Sequence, residues 1–161
     1  MLSPIQWAFL PLEKYFQLHG RSPRAEYWWF WLLYMVVGII TALFDELAGL
    51  NDPHAPFTLS TPVSLTLLVP SITVTVRRLH DINKSGWLVL GYGLAIYVPL
   101  IVLFLTPVGW VLLFATGGAA VFLAVGAIIL IGLKFLFMMV QDSNPGDNLY
   151  GPNPYGLQYG F

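Results

Sequence analysis

RRLHDINKSGW, running from Arg77 to Trp87, packs two arginines, a histidine, an aspartate and a lysine into its first eight residues. Long, almost purely apolar runs flank it on both sides, in a chain of 161 residues of which only 9% are charged. A short basic island between apolar runs reads as a loop joining two membrane spans.

Composition agrees. Hydrophobic residues make up 57% of the chain, and the mean hydropathy is +0.73. A globular domain carries about 25% charged residues, so this chain lacks the polar surface to face water. Its apolar surface must face a bilayer instead. The length suits one integral membrane domain spanning 1–161. A net charge of −1 argues against a nucleic-acid partner. With no cysteine, disulfide and thiolate chemistry are excluded. The opening MLSPIQWAFLPLEKYFQ does not read as a cleaved signal.

Residues 5–18 space Ile5, Ala8, Phe9, Leu12, Tyr15 and Phe16 on one helical face, which predicts an interfacial amphipathic helix with a break at Pro11. Ser22 is a candidate N-cap and Pro23 a candidate first residue of the next helix, with Glu26 in its first turn. The fold class expected is all-α, a polytopic membrane protein with about four transmembrane helices, at 27–44, 63–76, 87–105 and 119–140. The first opens on the aromatic patch YWWFW, suited to the headgroup level, and the third follows Ser85, another candidate cap. The 33 residues from Val108 to Val140 would be about 50 Å as one helix, against a hydrocarbon core of about 30 Å. A break is therefore expected near Gly117–Gly118. That leaves 108–116 as an extension of the third helix past Pro107 or as a short re-entrant piece. Residues 141–161 are rich in Asn, Gly and Pro and read as a tail of turns.

Lys14, Arg21 and Arg24 precede the first span, and Arg77, Arg78 and Lys84 separate the second from the third. Six of the seven basic residues thus share one side, which the positive-inside rule assigns to the cytoplasm together with both termini. Lys134, near the end of the fourth span, can snorkel to the same side or line a pathway.

On a helix continuing through VTVRRLHD, Arg77 shares a face with Asp81, and Arg78 with Ser71 and Thr75. Asp81 has three candidate roles: pairing with Arg77, reaching Arg21 or Arg24, or capping the turn before Ser85. Pairing with Arg21 or Arg24 would tie the first two spans together. Two readings of the cluster stand side by side. In one it only pins helices and enforces topology. In the other Arg21, Arg24, Arg77, Arg78, His80, Asp81 and Lys84 form a ligand-binding site, with guanidinium forks suited to an anionic lipid headgroup. The partners expected are membrane lipids, a membrane-protein partner or a second copy of the chain. His80 and Asp81 are adjacent, so on a helix they point about 100° apart and do not form a catalytic dyad. His19, His54 and His80 lack ligand spacing, so neither a metal nor another cofactor is expected. Gly117, Gly118 and Gly126 suit close helix packing.

Three segments, FQLHGRSPRAEYWWF, PSITVTVRRLHDINKSGW and FMMVQDSNPGDNLYGPNPYG, occur in this order and together resemble the domain of unknown function 805 family of bacterial inner-membrane proteins. The resemblance places signature positions at Gly20, Arg21, Arg24 and Glu26, at Arg77, Arg78, His80, Asp81, Ser85 and Gly86, and at Asn148, Tyr150, Gly151 and Pro152. It implies a small multi-pass protein of the bacterial cytoplasmic membrane, without an established activity. The stretch from Trp87 to Phe137 is longer than the family pattern leads one to expect. The function expected is a non-enzymatic protein binding lipid or a partner through the basic cluster. The alternatives are an oligomeric transporter or channel component, with Lys134, Ser71 and Thr75 lining its interior, and a lipid-phosphate enzyme using Arg77, Arg78 and His80.

Overall fold

In the computed structural model, residues 2–50 and 57–155 are described. Asp52 and His54 of the loop after the first span, and the end of the tail beyond 155, lie outside them. Among the described residues every regular element is a helix, apart from an isolated bridge between Asn148 and Gly151.

Helix α1 (Pro4–Glu13) starts at a capping box in which Ser3 and Gln6 bond each other's backbone N–H groups, with Pro4 in the first turn. It is not broken at Pro11 and ends at Glu13, short of the expected 18. Pro11 is in fact buried with Trp7 and Ala8, where α1 packs on its neighbours. Helix α2 (Arg24–Leu47) begins three residues before the expected span, and Pro23, not Ser22, holds its cap position. Ser22 is drawn inward instead, its N–H donating to the Arg77 carbonyl at 3.0 Å.

Helix α3 (Ser60–Asp81) extends past the expected 63–76 at both ends and takes in the first five residues of the basic motif. Its start meets the end of α2, where the Asp45 carboxylate accepts from the backbone N–H groups of Leu59 (2.7 Å) and Ser60 (2.9 Å). Helix α4 (Leu88–Leu105) stops at Thr106. The extended backbone there lets the Thr106 hydroxyl accept from Gly109 N–H and start a separate helix, α5 (Pro107–Ala115). Residues 108–116 therefore do not extend α4. At about 13 Å, α5 is too short to cross a bilayer. Gly117 and Gly118, both at positive φ, then turn the chain into α6 (Ala119–Val140), within the bounds read from sequence.

Among the described residues three helices, α2, α4 and α6, are long and apolar enough to cross a membrane, not four. Helix α3, which holds the expected second span, falls short on hydropathy because it carries Ser60, Thr61, Ser64, Thr66, Ser71, Thr73 and Thr75 as well as the charged final turn. Several of those hydroxyls bond back to carbonyls of α3 itself, such as Ser71 to Leu68 and Thr75 to Ser71. The apolar core, which includes Tyr27, Phe30, Val74, Leu79, Ile82 and Met139, gathers at one end of the bundle, where α2, α3 and α6 meet. Away from that end, α4 and α6 turn nearly all their apolar surface outward. Lipid tails cover such a surface without loss, whereas water would expel it.

Candidate functional site

The end of the bundle that holds the core also holds the charge. The last turn of α3 meets the start of α2, the end of α6 and the tail, and three guanidinium groups are buried among them.

Arg21 uses its whole fork. Its Nε donates to Asp81 Oδ1 at 3.0 Å, Nη1 to the carbonyls of Gly146 (2.7 Å) and Gly151 (3.2 Å), and Nη2 to those of Asn144 (2.7 Å) and Asp81 (3.4 Å). Arg78 donates to Asp81 Oδ2 and to the carbonyls of Met139 and Gln141. Asp81 thus lies between two arginines, and Ser143 donates a further hydrogen bond to it. Arg77 points elsewhere, its Nη1 pairing with Glu26, which also has Lys14 at 3.9 Å. Of the partners open to Asp81, the structure selects Arg21 and adds Arg78, while Arg77 and Arg24 are not among its partners.

The arginines also finish α6. An α-helix ends with four carbonyls that lack partners and a partial negative charge. Arg78 takes those of Met139 and Gln141, and Arg24 takes that of Val140 while pairing with Asp142 at the surface. The tail is held in turn: Asn144 N–H donates to the Asp81 carbonyl, and the Asn148 side-chain amide to that of His80 at 2.9 Å. Tyr150 lies flat on the His80 ring, with centroids 3.8 Å apart and planes 3° from parallel.

His80 lies in the last turn of α3 at this pole, outside the apolar stretches. Burial pushes its imidazole below the ordinary value, and the hydrogen bond between Nδ1 and the Gly20 carbonyl offsets part of that push. Since the Gly20 carbonyl can only accept, it is Nδ1–H that donates in this hydrogen bond. Next to it, Gly86 permits the close approach of the α3–α4 turn. A Cβ there would lie 2.6 Å from Val76 Cγ1 and 3.1 Å from His80 Nε2.

The structure therefore brings together Arg21, Arg24, Arg77, Arg78, His80 and Asp81. Lys84 stands apart, exposed and without an ion pair among the described residues. The main partners that sequence reasoning missed are backbone carbonyls of 139–151, which carry no side-chain signature, and Glu26, read there only as a helix-dipole residue. Among the described residues no cluster of His, Asp and Glu is arranged to hold a metal.

The family described as a protein of unknown function, DUF805, matches residues 15–152. The chain belongs to the DUF805 family. The matched region of this DUF805 protein contains all three polar segments of this pole and the helices that carry them. The inner membrane protein YhaI of Escherichia coli (strain K12) is 33% identical over 119 residues, covering 72% of this chain and 88% of that protein. YhaH from the same organism is 26% identical over 151 residues, covering 93% and 97%. No solved structure matches the chain. With its three apolar helices, this DUF805 member is an integral membrane protein.

Proposed function

We propose that this chain is a non-enzymatic, multi-pass protein of the inner membrane that retains anionic lipid at a rigid basic pole on the cytoplasmic side. The observation that carries this is how the basic residues are divided. Arg21, Arg77 and Arg78 are spent inside the pole, while Lys14, Arg24 and Lys84 stand at its rim with Lys84 unpaired. A headgroup meets that rim; it does not meet the buried forks. Exposed basic side chains beside a span attract anionic headgroups by about 1 kcal/mol each.

Chain direction supports four crossings. Helix α2 leaves the pole and α4 leaves it again, so the segment between them has to return. Helix α3 makes that return, antiparallel to α2 and joined to it at one end by Asp45 and at the other by Arg77–Glu26. Ser71, Thr73 and Thr75 are buried against protein, and the exposed Ser64 and Thr66 return their hydroxyls to the Thr61 and Pro62 carbonyls of the same helix, which lets a helix of low hydropathy cross. The positive-inside rule then puts the pole and both termini in the cytoplasm. The names of YhaI and YhaH support the inner membrane as the location.

The test is native mass spectrometry of the full chain taken in mild detergent from vesicles of phosphatidylglycerol and phosphatidylcholine with the same acyl chains. The wild type retains phosphatidylglycerol in preference, and an Arg24→Gln/Lys84→Gln variant loses that preference while staying folded. Equal retention of both lipids by the wild type would overturn the proposal. A bound partner protein would appear as added mass in the same spectrum.

A further inference from the structure

A cleft of about 750 Å³ opens between α3 and α4, with Ile72 and Val76 on one side and Leu90, Leu94 and Tyr97 on the other. Its mouth lies at the pole, formed by the stacked His80–Tyr150 pair, Ser85 and Trp87, next in sequence to the unpaired Lys84. The volume falls within the range of small-molecule sites, about 300–1,000 Å³. From Trp87 to Tyr97 is ten residues of helix, about 15 Å, or half of a hydrocarbon core of about 30 Å.

We infer that this cleft seats one acyl chain of an anionic phospholipid from the leaflet at the pole, with the phosphate held at the mouth beside Ser85 and Lys84. The inference rests on the proposed lipid-binding reading and locates the site. Three features select this occupant. The cleft changes from polar at the mouth to apolar within, as an amphiphile does. Its depth is that of one leaflet, whereas a helix from a second copy would need a groove crossing both. Lys84, exposed and next in sequence to the mouth residue Ser85, offers a phosphate at the mouth a positive partner.

Two glycines on α4 give the test. Gly93 lines the cleft and Gly91 does not, and a Cβ at either meets nothing within 4 Å. Gly93→Leu and Gly91→Leu therefore make the same chemical change on the same helix, and both favour helix formation. The full chain and both variants are loaded from the mixed vesicles described above and stripped by stepwise detergent exchange before native mass spectrometry. Phosphatidylglycerol is expected to stay on the wild type and on Gly91→Leu and to be lost from Gly93→Leu. Equal retention by the two variants would overturn the cleft as the site while leaving the broader lipid reading intact. No preference for phosphatidylglycerol in the wild type would overturn both. A lipid-free dimer broken by Gly93→Leu would make the cleft an interface between copies and overturn the inference.

Discussion

Replacing Asp81 with Asn keeps the shape of the side chain but removes the charge that two buried guanidinium groups share. Arg21 Nε stands 3.0 Å from one carboxylate oxygen, and Arg78 and Ser143 bond the other. The side chains of Arg21, Arg78 and Asp81 are all at most 1% exposed, so water does not replace the lost charge. Breaking a buried ion pair by removing one partner costs about 3–5 kcal/mol. That is a large share of a typical stability of about 5–15 kcal/mol. At about 2–4 °C per kcal/mol for a chain of this size, the midpoint of thermal unfolding in mild detergent should fall by about 6–20 °C. The loss should be greatest in the tail, since Arg21 and the Asp81 backbone together hold Asn144, Gly146 and Gly151. Hydrogen exchange is therefore expected to show the amides of 144–151 opening before those of α6. An Arg21→Gln/Asp81→Asn double variant should be less destabilised than the sum of the single changes, because it removes one of the stranded charges. A shift below about 2 °C with the tail still protected would refute the view that Asp81 organises the pole.

Three further outcomes follow from the same geometry. Asp45→Ala removes the side chain that accepts from the first N–H groups of α3 and should cost about 1 kcal/mol, read as a lowered unfolding midpoint. The folded-state pKa of His80 is depressed, so its contribution to stability is fully present above about pH 6.5 and falls as pH drops below that value, where the unfolded ring binds a proton more readily. Exchange at the Tyr150 amide should accelerate over that pH range in the wild type, and less steeply in His80→Asn. Gly86→Ala drives a methyl group to 2.6 Å from Val76 and should destabilise by about 1–3 kcal/mol, whereas Gly91→Ala, in open space within α4, should stabilise by about 0.5–1 kcal/mol; thermal unfolding of the pair checks both signs.

The elements were legible wherever one local signal decided them. The bounds of α6 follow from an apolar run that begins after two glycines, whose left-handed turn separates it from the preceding helix. Helix α5 had a signal too, Thr106 before Pro107, a capping residue followed by the residue favoured at a helix start. Helix α3 reads too short in the sequence, at 63–76, because the hydroxyls of Ser60 and Thr61 and the charges of Arg77–Asp81 look like the ends of a span. The structure pairs those charges inside the pole, and the helix runs on to Asp81. In the site, the residue types were legible and the pairing was not. Arg77 and Arg78 are neighbours that point about 100° apart, so one reaches Glu26 on α2 and the other Asp81 and the end of α6. Main-chain acceptors such as the carbonyls of Asn144 and Gly146 are not marked by any side chain.

The arginines of this pole act at two stages with different demands. The positive-inside bias acts on the chain as it inserts, when Arg21, Arg24, Arg77 and Arg78 are still hydrated and their full charge counts toward orientation. Once the helices assemble, Arg21, Arg77 and Arg78 enter the interior, where three positive groups face two carboxylates, Glu26 and Asp81, and carbonyl oxygens supply the rest of the negative potential. Lysine would serve the first stage as well as arginine but not the second. Arg21 alone engages five acceptors through three nitrogens in a planar fork, a pattern that a single ammonium cannot reproduce. The chain follows this division of labour, with arginine at the three buried basic positions and at Arg24, whose fork is shared between the Val140 carbonyl and Asp142, and lysine at Lys14 and at the exposed Lys84 and Lys134. An Arg21→Lys variant should therefore insert in the wild-type orientation, as read by labelling cysteines introduced at either end of the bundle. It should also lose the tail protection that Arg21 provides. Loss of both together would mean that folding at the pole, and not charge alone, sets the topology.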